Sequence, residues 1–232
     1  ITGVHKGLGH ALAAVCLERG ATVYGLSREE PADLAEHPCL RFTSLDLRRF
    51  DAIEGTLHRL LEDAESLDLV LLNAGVLGEL KDLAETSLDE MATVMDINVW
   101  ANKVLLDALS RWGRGVAQIV GISSGAAVNG SAGWGAYSIS KAALNLLLRV
   151  FAHEHEETHC VALAPGVIET AMIKGVLATP KDPRYSALDR IQAAADEGRL
   201  LSPRRAAENM LDRLDALRAH ESGSYLDIRE MA

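Results

Sequence analysis

The chain has 232 residues, of which 48% are hydrophobic and 24% are charged, and its formal net charge is −10. This length suits a single α/β domain with one large core. The negative charge argues against a nucleic-acid or anionic-membrane partner, because phosphate contacts require a concentrated basic surface. The longest apolar runs, such as residues 67–72, have the length of a strand, so the sequence predicts no membrane span.

The chain contains only a few cysteines, and their spacing carries no motif. Cys16, Cys39 and Cys160 lie far apart and match no metal-ligand pattern. We therefore expect reduced thiols in a cytoplasmic protein, and no metal site.

Short β-rich runs alternate with helical ones, which predicts a parallel sheet covered by helices on both faces. In chain order the pattern predicts a helix at 7–19, strands at 21–27 and 39–44, a helix at 48–64, a strand at 67–73, a helix at 87–112, a strand at 116–123, a helix at 134–155, a strand at 161–164, a helix at 202–218 and a strand at 224–228. Residues 168–201 are predicted to be irregular apart from an amphipathic segment at 187–195, and we interpret them as a substrate lid. The whole chain, 1–232, is predicted to form one domain.

A glycine-rich turn opens the chain. Residues 2–9 read Thr-Gly-Val-His-Lys-Gly-Leu-Gly and lead directly into the first helix. Glycines let the backbone approach a pyrophosphate, whose charge is met by free amides and by the helix dipole. Such a turn normally follows a buried strand, so we expect residues before Ile1 to complete that strand. The turn alone is weak evidence, because many similar turns bind nothing.

The spacing of Gly3, Gly7 and Gly9 after Thr2 resembles the cofactor turn of the short-chain dehydrogenase/reductase family. Further motifs of that family follow in order, namely Asp46-Leu47, Asn73-Ala74-Gly75, Ser124, Tyr137 with Lys141, and Pro165 to Thr170. The resemblance extends from Thr2 to about Asp227. It implies a Rossmann fold with a doubly wound parallel sheet and a nicotinamide dinucleotide as cofactor.

The end of the second predicted strand bears on which dinucleotide is bound. An acid there would bond the ribose 2′-hydroxyl of NAD, but Ser27 and then Arg28 occupy the place, and an arginine accommodates the 2′-phosphate of NADP. Lys6 resembles the second basic residue of NADP-binding members. Each cation alone is equally well explained as a solvated charge, and together they favour NADP(H). The resemblance assigns to NADP(H) the residues Gly3, His5, Lys6, Gly7, Leu8, Gly9, Arg28, Asp46, Leu47, Asn73, Ala74, Gly75, Tyr137, Lys141, Pro165, Gly166, Ile168 and Thr170.

Tyr137 and Lys141 lie one helical turn apart, so that the phenol and the ammonium can face one cleft. A free phenol has a pKa of about 10, and lowering it by two or three units requires roughly 3–4 kcal/mol. A nearby ammonium and an oxidised nicotinamide can together supply that at an effective dielectric constant of about 20. The spacing therefore predicts a tyrosine activated by Lys141.

The resemblance implies two further catalytic residues. Ser124 lies thirteen residues before Tyr137, at the end of a predicted strand, where ligands of open α/β sheets bind. Its neighbour Ser123 is the alternative, although it suits a backbone-bonding role better. Asn98 resembles the asparagine that holds a water beside the lysine, and otherwise it is a helical asparagine that stabilises a kink.

Residues 72–77, 134–137 and 222–227 resemble the branch of the family that contains sepiapterin and benzil reductases. This implies an NADPH-dependent reductase of a small carbonyl substrate, of the diketone or pterin side-chain type, with Trp134 and Asp227 at the substrate. Otherwise Trp134 is a core residue and Asp227 a surface acid. An NADP-dependent sugar or steroid alcohol dehydrogenase and a non-catalytic NADP(H) sensor remain alternatives. The family implies a homodimer or homotetramer formed through the two long helices.

Overall fold

The computed structural model describes residues 1–231. Its strands are β1 (Val23–Ser27), β2 (Leu40–Ser44), β3 (Val70–Leu72), β4 (Gln118–Ile122), β5 (His159–Ala164) and β6 (Ser224–Asp227). Its α-helices are α1 (Gly7–Glu18), α2 (Phe50–Leu60), α3 (Leu88–Met95), α4 (Ala101–Trp112), α5 (Ala126–Asn129), α6 (Gly135–Glu154), α7 (Ala171–Leu177), α8 (Ser186–Asp196), α9 (Pro203–Leu211) and α10 (Leu214–Arg218).

The strands are parallel and form two groups, β2 with β1 and β3-β4-β5-β6. Residues 1–3 lie between the groups and join them. Thr2 forms a parallel bridge with Leu26 of β1, and its backbone N–H donates to the Leu71 carbonyl of β3 at 3.0 Å. The glycine turn therefore follows the centre of the sheet, where the strand order reverses.

Helices cover both faces of this sheet. On one face α1 packs against α9 through residues such as Leu12 and Met210. On the other face α2, α4 and α6 bury Ile53, Leu105 and Leu148. Strand β4 is buried along its whole length, as expected of a strand covered on both sides. The predicted doubly wound parallel fold is confirmed.

The long helix predicted at 87–112 is interrupted. It begins as predicted with a capping box, in which the Ser87 hydroxyl accepts from the Glu90 N–H and the Glu90 carboxylate accepts from the Ser87 N–H. A π-helical turn, Asp96–Trp100, then separates α3 from α4. The side chain of Asn102 donates to the Asn98 carbonyl at 2.8 Å and so satisfies a backbone group that the wider turn frees. Periodicity alone does not reveal such an insertion.

Two other predictions are corrected by the structure. The helix predicted at 202–218 is split into α9 and α10 by a turn at 212–213, which lets Leu217 reach the core. Residues 168–201 are not irregular, because they contain α7 as well as α8. Helix α7 begins where the Thr170 hydroxyl accepts from the Ile173 N–H at 3.4 Å, a side-chain cap.

Both ends of the segment 168–201 are held together. Ile168 and Leu201 form a parallel bridge. The Glu169 N–H donates to the Leu201 carbonyl at 2.8 Å, and the Leu201 N–H donates to the Val167 carbonyl at 3.1 Å. The segment that contains α7 and α8 thus begins and ends at neighbouring, hydrogen-bonded backbone positions.

Within residues 1–231, no helix has the length and apolarity needed to cross a bilayer. The same residues contain no group of three or more His, Cys, Asp or Glu side chains placed to hold a metal ion. The three cysteines are free thiols.

Candidate active site

A cavity of about 500 Å³ opens at the carboxyl ends of the central strands, between the glycine turn and α7. Of the residues assigned above, it is lined by Gly3, His5, Lys6, Gly7, Leu8, Arg28, Asp46, Leu47, Asn73, Ala74, Gly75, Ser124, Trp134, Tyr137, Lys141, Pro165, Gly166, Ile168 and Thr170. Gly9, Asn98 and Asp227 do not line it. The structure therefore brings motifs from most of the chain length to one cleft.

The glycine turn is shaped for a close approach by a ligand. Gly3 and Gly7 have φ angles of +77° and +63°, which favour glycine because it lacks a Cβ. Gly9 has a different role, since a Cβ there would overlap the Gly3 carbonyl group and the Asn73 amide nitrogen. The Thr2 hydroxyl accepts from the backbone N–H of Asn73 at 2.9 Å. The turn is thus packed directly against the end of β3.

Charges at one end of the cavity are unequally paired. The Arg48 guanidinium holds the Asp46 carboxylate at 2.7 Å and lowers the pKa of that carboxyl to about 2. His5 lies 3.3 Å from Glu29. Within residues 1–231, neither Lys6 nor Arg28 has a carboxylate within 4.0 Å, and both line the cavity. Two cations without a close carboxylate partner are therefore placed to meet an anionic group here.

At the other end of the cavity, the Tyr137 phenol lies beside the Ser124 hydroxyl. Burial raises the pKa of the phenol, and the hydrogen-bonding Ser124 hydroxyl opposes that rise. Ser123 is engaged elsewhere, since its hydroxyl donates to Asn145 at 2.5 Å. The ring of Tyr137 packs edge-on against Trp134, with centroids 6.0 Å apart.

Among the chain's own residues, the net influence on Tyr137 raises its pKa, whereas the predicted lowering also depends on an oxidised nicotinamide and stays a prediction. The Lys141 ammonium donates to the Ile122 carbonyl at 2.7 Å and lies 5.7 Å from the centroid of the phenol ring. Desolvation of the phenol outweighs the stabilising influences on the phenolate. Tyr137 is therefore held in its protonated form at neutral pH.

Lys141 is only 4% exposed, and burial lowers the pKa of its ammonium to about 8. The unfolded chain binds this proton more tightly than the folded chain, so the group destabilises the fold below pH 8, and this cost disappears as pH rises towards the ordinary value of 10.5. The full cost is about 3 kcal/mol.

We expect Lys141→Met to raise the free energy of unfolding at pH 7 by about 1 kcal/mol, because the lost hydrogen bond from the ammonium to the Ile122 carbonyl offsets about 2 kcal/mol of the gain. Urea unfolding at pH 7 and at pH 9.5 measures this difference, which should shrink at the higher pH. An equal difference at both pH values would contradict the burial argument.

Asn98 supports the cavity from behind. Its side chain accepts from the Val76 N–H at 2.8 Å and donates to the Val76 carbonyl at 2.8 Å, and it also donates to the Ser140 hydroxyl at 2.9 Å. A Cβ on Gly75 would lie 3.1 Å from the Asn98 amide oxygen and 3.4 Å from the Lys141 ammonium. The π-helical turn thus places Asn98 next to Lys141.

The two residues predicted at the substrate differ in placement. Trp134 lies between the main cavity and a second pocket, and lines both. Asp227 is buried and lines neither. Its carboxylate binds Arg229 through two contacts of 2.5 and 2.9 Å, and Arg229 lines the second pocket. The group that reaches the surface at this place is therefore a cation rather than a carboxylate.

Comparison with known proteins decides the family. A family model described as short chain dehydrogenase matches residues 1–181. This chain is a short-chain dehydrogenase. The short-chain dehydrogenases are oxidoreductases that use a nicotinamide dinucleotide, and the cavity between the glycine turn and α7 is the place at which this chain could hold one.

Similar proteins support the branch as well as the family. This short-chain dehydrogenase is 34% identical over 242 residues to an (S)-benzoin-forming benzil reductase of Bacillus subtilis, covering 99% of this chain and 97% of the relative. It is 28% identical to a sepiapterin reductase of Xenopus laevis, covering 98% and 93%. A crystal structure of a short-chain dehydrogenase/reductase from Burkholderia multivorans with bound NADP has a TM-score of 0.76 and 29% identity, covering 98% and 94%. The predicted resemblance is confirmed.

Sequence reasoning missed several residues of this dehydrogenase's cavity. Arg48 and Glu29 lie beside predicted positions, and their nearness in the chain to Asp46 and Arg28 was an available signal. Met172, Ile173 and Ile191 come from α7 and α8. The local sequence pattern does not predict that these residues line the cavity, because the position of α7 and α8 depends on contacts with the rest of the fold.

Proposed function

We propose that this protein is an NADPH-dependent carbonyl reductase with Ser124, Tyr137 and Lys141 at its catalytic centre and Asn98 as a positioning residue. The observation that carries the proposal is the partly buried Tyr137 phenol in the nucleotide-sized cavity, beside a Ser124 hydroxyl that lines both this cavity and the second pocket. The similarity to benzil and sepiapterin reductases supports it.

When bound, NADPH supplies the hydride that reduces the carbonyl carbon. The developing alkoxide then needs a proton, which the Tyr137 hydroxyl carries at neutral pH and is placed to donate. The Ser124 hydroxyl can donate a hydrogen bond to the same oxygen as its negative charge grows. The positive charge of Lys141 stabilises the phenolate that remains. Proton uptake from solvent restores the phenol.

Two features favour NADPH over NADH. The unpaired cations Lys6 and Arg28 line one end of the cavity, and a 2′-phosphate would bring a negative charge to them. Ser27 stands where an NAD-specific site would need an acid, and its hydroxyl donates to the Glu29 carbonyl at 2.6 Å. The remaining assigned residues that line the cavity suit the rest of the dinucleotide, with the positive-φ Gly7 of the turn facing Thr170.

The substrate side of the site fits a small, flat carbonyl compound. Trp134, Tyr137 and Ile191 supply apolar lining on this side of the main cavity, and such surfaces suit aromatic groups. The segment 168–201, through α7 and α8, acts as the lid. A vicinal diketone or a pterin side chain fits the proposal.

The proposal is tested by following NADPH consumption with benzil, other vicinal diketones and sepiapterin, beside NADP-dependent oxidation of sugar and steroid alcohols. We expect diketone reduction to have the highest kcat/KM. Faster oxidation of the alcohols would identify an alcohol dehydrogenase instead. Tight NADPH binding without turnover of any substrate would identify a sensor and overturn the proposal.

We also infer that copies of the chain associate through α6. Its surface carries Ile139, Leu146 and Val150, which are 42%, 59% and 46% exposed. Residues four and seven apart share a helix face, and an exposed apolar stripe is typical of an interface. Light scattering after size exclusion should show a dimer or tetramer, which Leu146→Asp converts to smaller species. A monomeric wild-type protein would contradict this.

A further inference from the structure

The second pocket lies on the far side of Ser124 from the glycine turn and has a volume of about 430 Å³. It shares Ser124, Trp134 and Ile191 with the main cavity, so a substrate whose carbonyl meets Ser124 and Tyr137 would extend into it. The charge of its lining is therefore a specificity feature of the proposed reductase.

Within residues 1–231, the charged residues that line this pocket are all arginines, namely Arg190, Arg199 and Arg229. They come from α8, from the loop after α8 and from the residues after β6. The chain as a whole has 33 acidic and 23 basic residues, so a lining with three arginines and no acid runs against its composition. Convergence of cations from separate elements on one pocket indicates an anionic ligand.

Arg229 is fixed in place beside the catalytic serine. The buried carboxylate of Asp227 holds its guanidinium through two contacts. A Cβ on Gly125, the residue after Ser124, would lie 3.7 Å from an Arg229 terminal nitrogen, and a Cβ on Gly166 would lie 3.6 Å from the Arg229 Cδ. Asp227 thus pre-orients the arginine, while donors not used by the carboxylate remain available.

Arg190 supplies the uncompensated charge. Its guanidinium donates to the Ser131 hydroxyl at 3.0 Å, so that the side chain reaches from α8 to the loop before Trp134. No carboxylate lies within 4.0 Å of it in the part of the chain that the structure describes, whereas Arg199 pairs with Glu197 and Arg229 with Asp227. The pocket thus holds about one unpaired positive charge, which matches a monoanion.

The geometry points to an anion subsite in this pocket, which selects ketones that carry a carboxylate. This inference rests on the proposed function for the reaction, and on the pocket itself for the binding. A guanidinium binds a carboxylate through parallel N–H donors. Because Arg190 belongs to the segment 168–201, a carboxylate bound between Arg190 and Arg229 would also connect that segment to the sheet.

Binding of a carboxylate that cannot be reduced tests the subsite apart from the reaction. We expect 4-phenylbutanoate to bind the NADP⁺-saturated protein at least 10-fold more tightly than 4-phenylbutanamide in calorimetric titrations. Arg190→Gln should remove this difference, and Arg190→Glu should reverse it. Arg205→Gln, an exposed arginine of α9 that lines neither pocket, is the matched control and should leave it unchanged. Arg229 is not substituted, because its loss would leave the buried Asp227 carboxylate without its ion-pair partner.

The same variants are then assayed with phenyl ketones that carry a carboxylate one, two or three carbons from the carbonyl, each beside its methyl ester. The best acid should exceed its ester in kcat/KM by at least 10-fold, and Arg190→Gln should abolish that preference by lowering kcat/KM for the acid far more than for the ester. Equal affinity for 4-phenylbutanoate and 4-phenylbutanamide would overturn the subsite. So would a kcat/KM preference for the keto acid over its ester that survives Arg190→Gln. Tighter binding of 3-phenylpropylphosphonate than of the carboxylate overturns the choice of a monoanion. Arginine-dependent carboxylate binding without reduction of any ketone sustains the subsite and refutes the reductase.

Discussion

Replacing Tyr137 by phenylalanine should lower kcat for diketone reduction by about 10²- to 10⁴-fold, the usual contribution of a general acid. The variant keeps the ring that packs edge-on against Trp134 and removes only the hydroxyl beside Ser124. The dissociation constant for NADPH should therefore change less than 2-fold. Steady-state kinetics and fluorescence titration of NADPH measure the two quantities separately.

A matched substitution shows whether such a loss is specific to the site. The Tyr24 hydroxyl donates to Asp63 at 2.9 Å, away from the cavity, so Tyr24→Phe makes the same chemical change elsewhere in the fold. It should retain the activity of the parent protein. If Tyr137→Phe turned over diketones as fast as the control, Tyr137 would not be the proton donor.

Replacing Arg28 by alanine should weaken NADPH binding by about 10- to 100-fold, because a hydrogen bond to a charged group contributes about 1.5–3 kcal/mol. Arg28 lines the cavity, and within residues 1–231 no carboxylate lies within 4.0 Å of it. NADH lacks the 2′-phosphate, so its dissociation constant should change less than 2-fold. The ratio of the two constants, measured by fluorescence titration, is the decisive quantity.

Arg41→Ala is the corresponding control, since Arg41 pairs with Asp63 at 3.4 Å and does not line the cavity. It should leave the affinity for both nucleotides unchanged. An equal loss of NADH and NADPH affinity in Arg28→Ala would show that the arginine supports the fold or the shared part of the dinucleotide, and NADPH preference would then need another source.

The parts of the site that depend on local geometry could be predicted from the sequence. Tyr137 and Lys141 share a helix face because helical spacing places residues four apart together. The glycine turn could be located because Gly3 and Gly7 must adopt backbone angles that other residues avoid. The alternation of strands and helices was sufficient for the doubly wound sheet.

Features that depend on contacts between distant elements could not be predicted. The π-helical turn at Asp96–Trp100 accompanies the hydrogen bonds of Asn98 to the backbone of Val76, a contact that periodicity does not show. The direction of the Tyr137 pKa shift follows from burial, which a sequence does not state. Asp227 was correctly placed at the end of the last strand, but its partner Arg229 decides what the pocket presents to a ligand.

The bridge between Ile168 and Leu201 marks the boundary between the sheet and the segment that carries α7 and α8. The glycine turn rests on the sheet, whereas α7 and α8 leave the sheet and return to it at two bridged backbone positions, and they also pack against Trp134. The stretch between those positions can thus be exchanged as a cassette without re-registering any strand. For the proposed reductase, a change of substrate can therefore begin with residues inside that cassette, such as Arg190 and Ile191, although Trp134 and Arg229 line the second pocket from outside it.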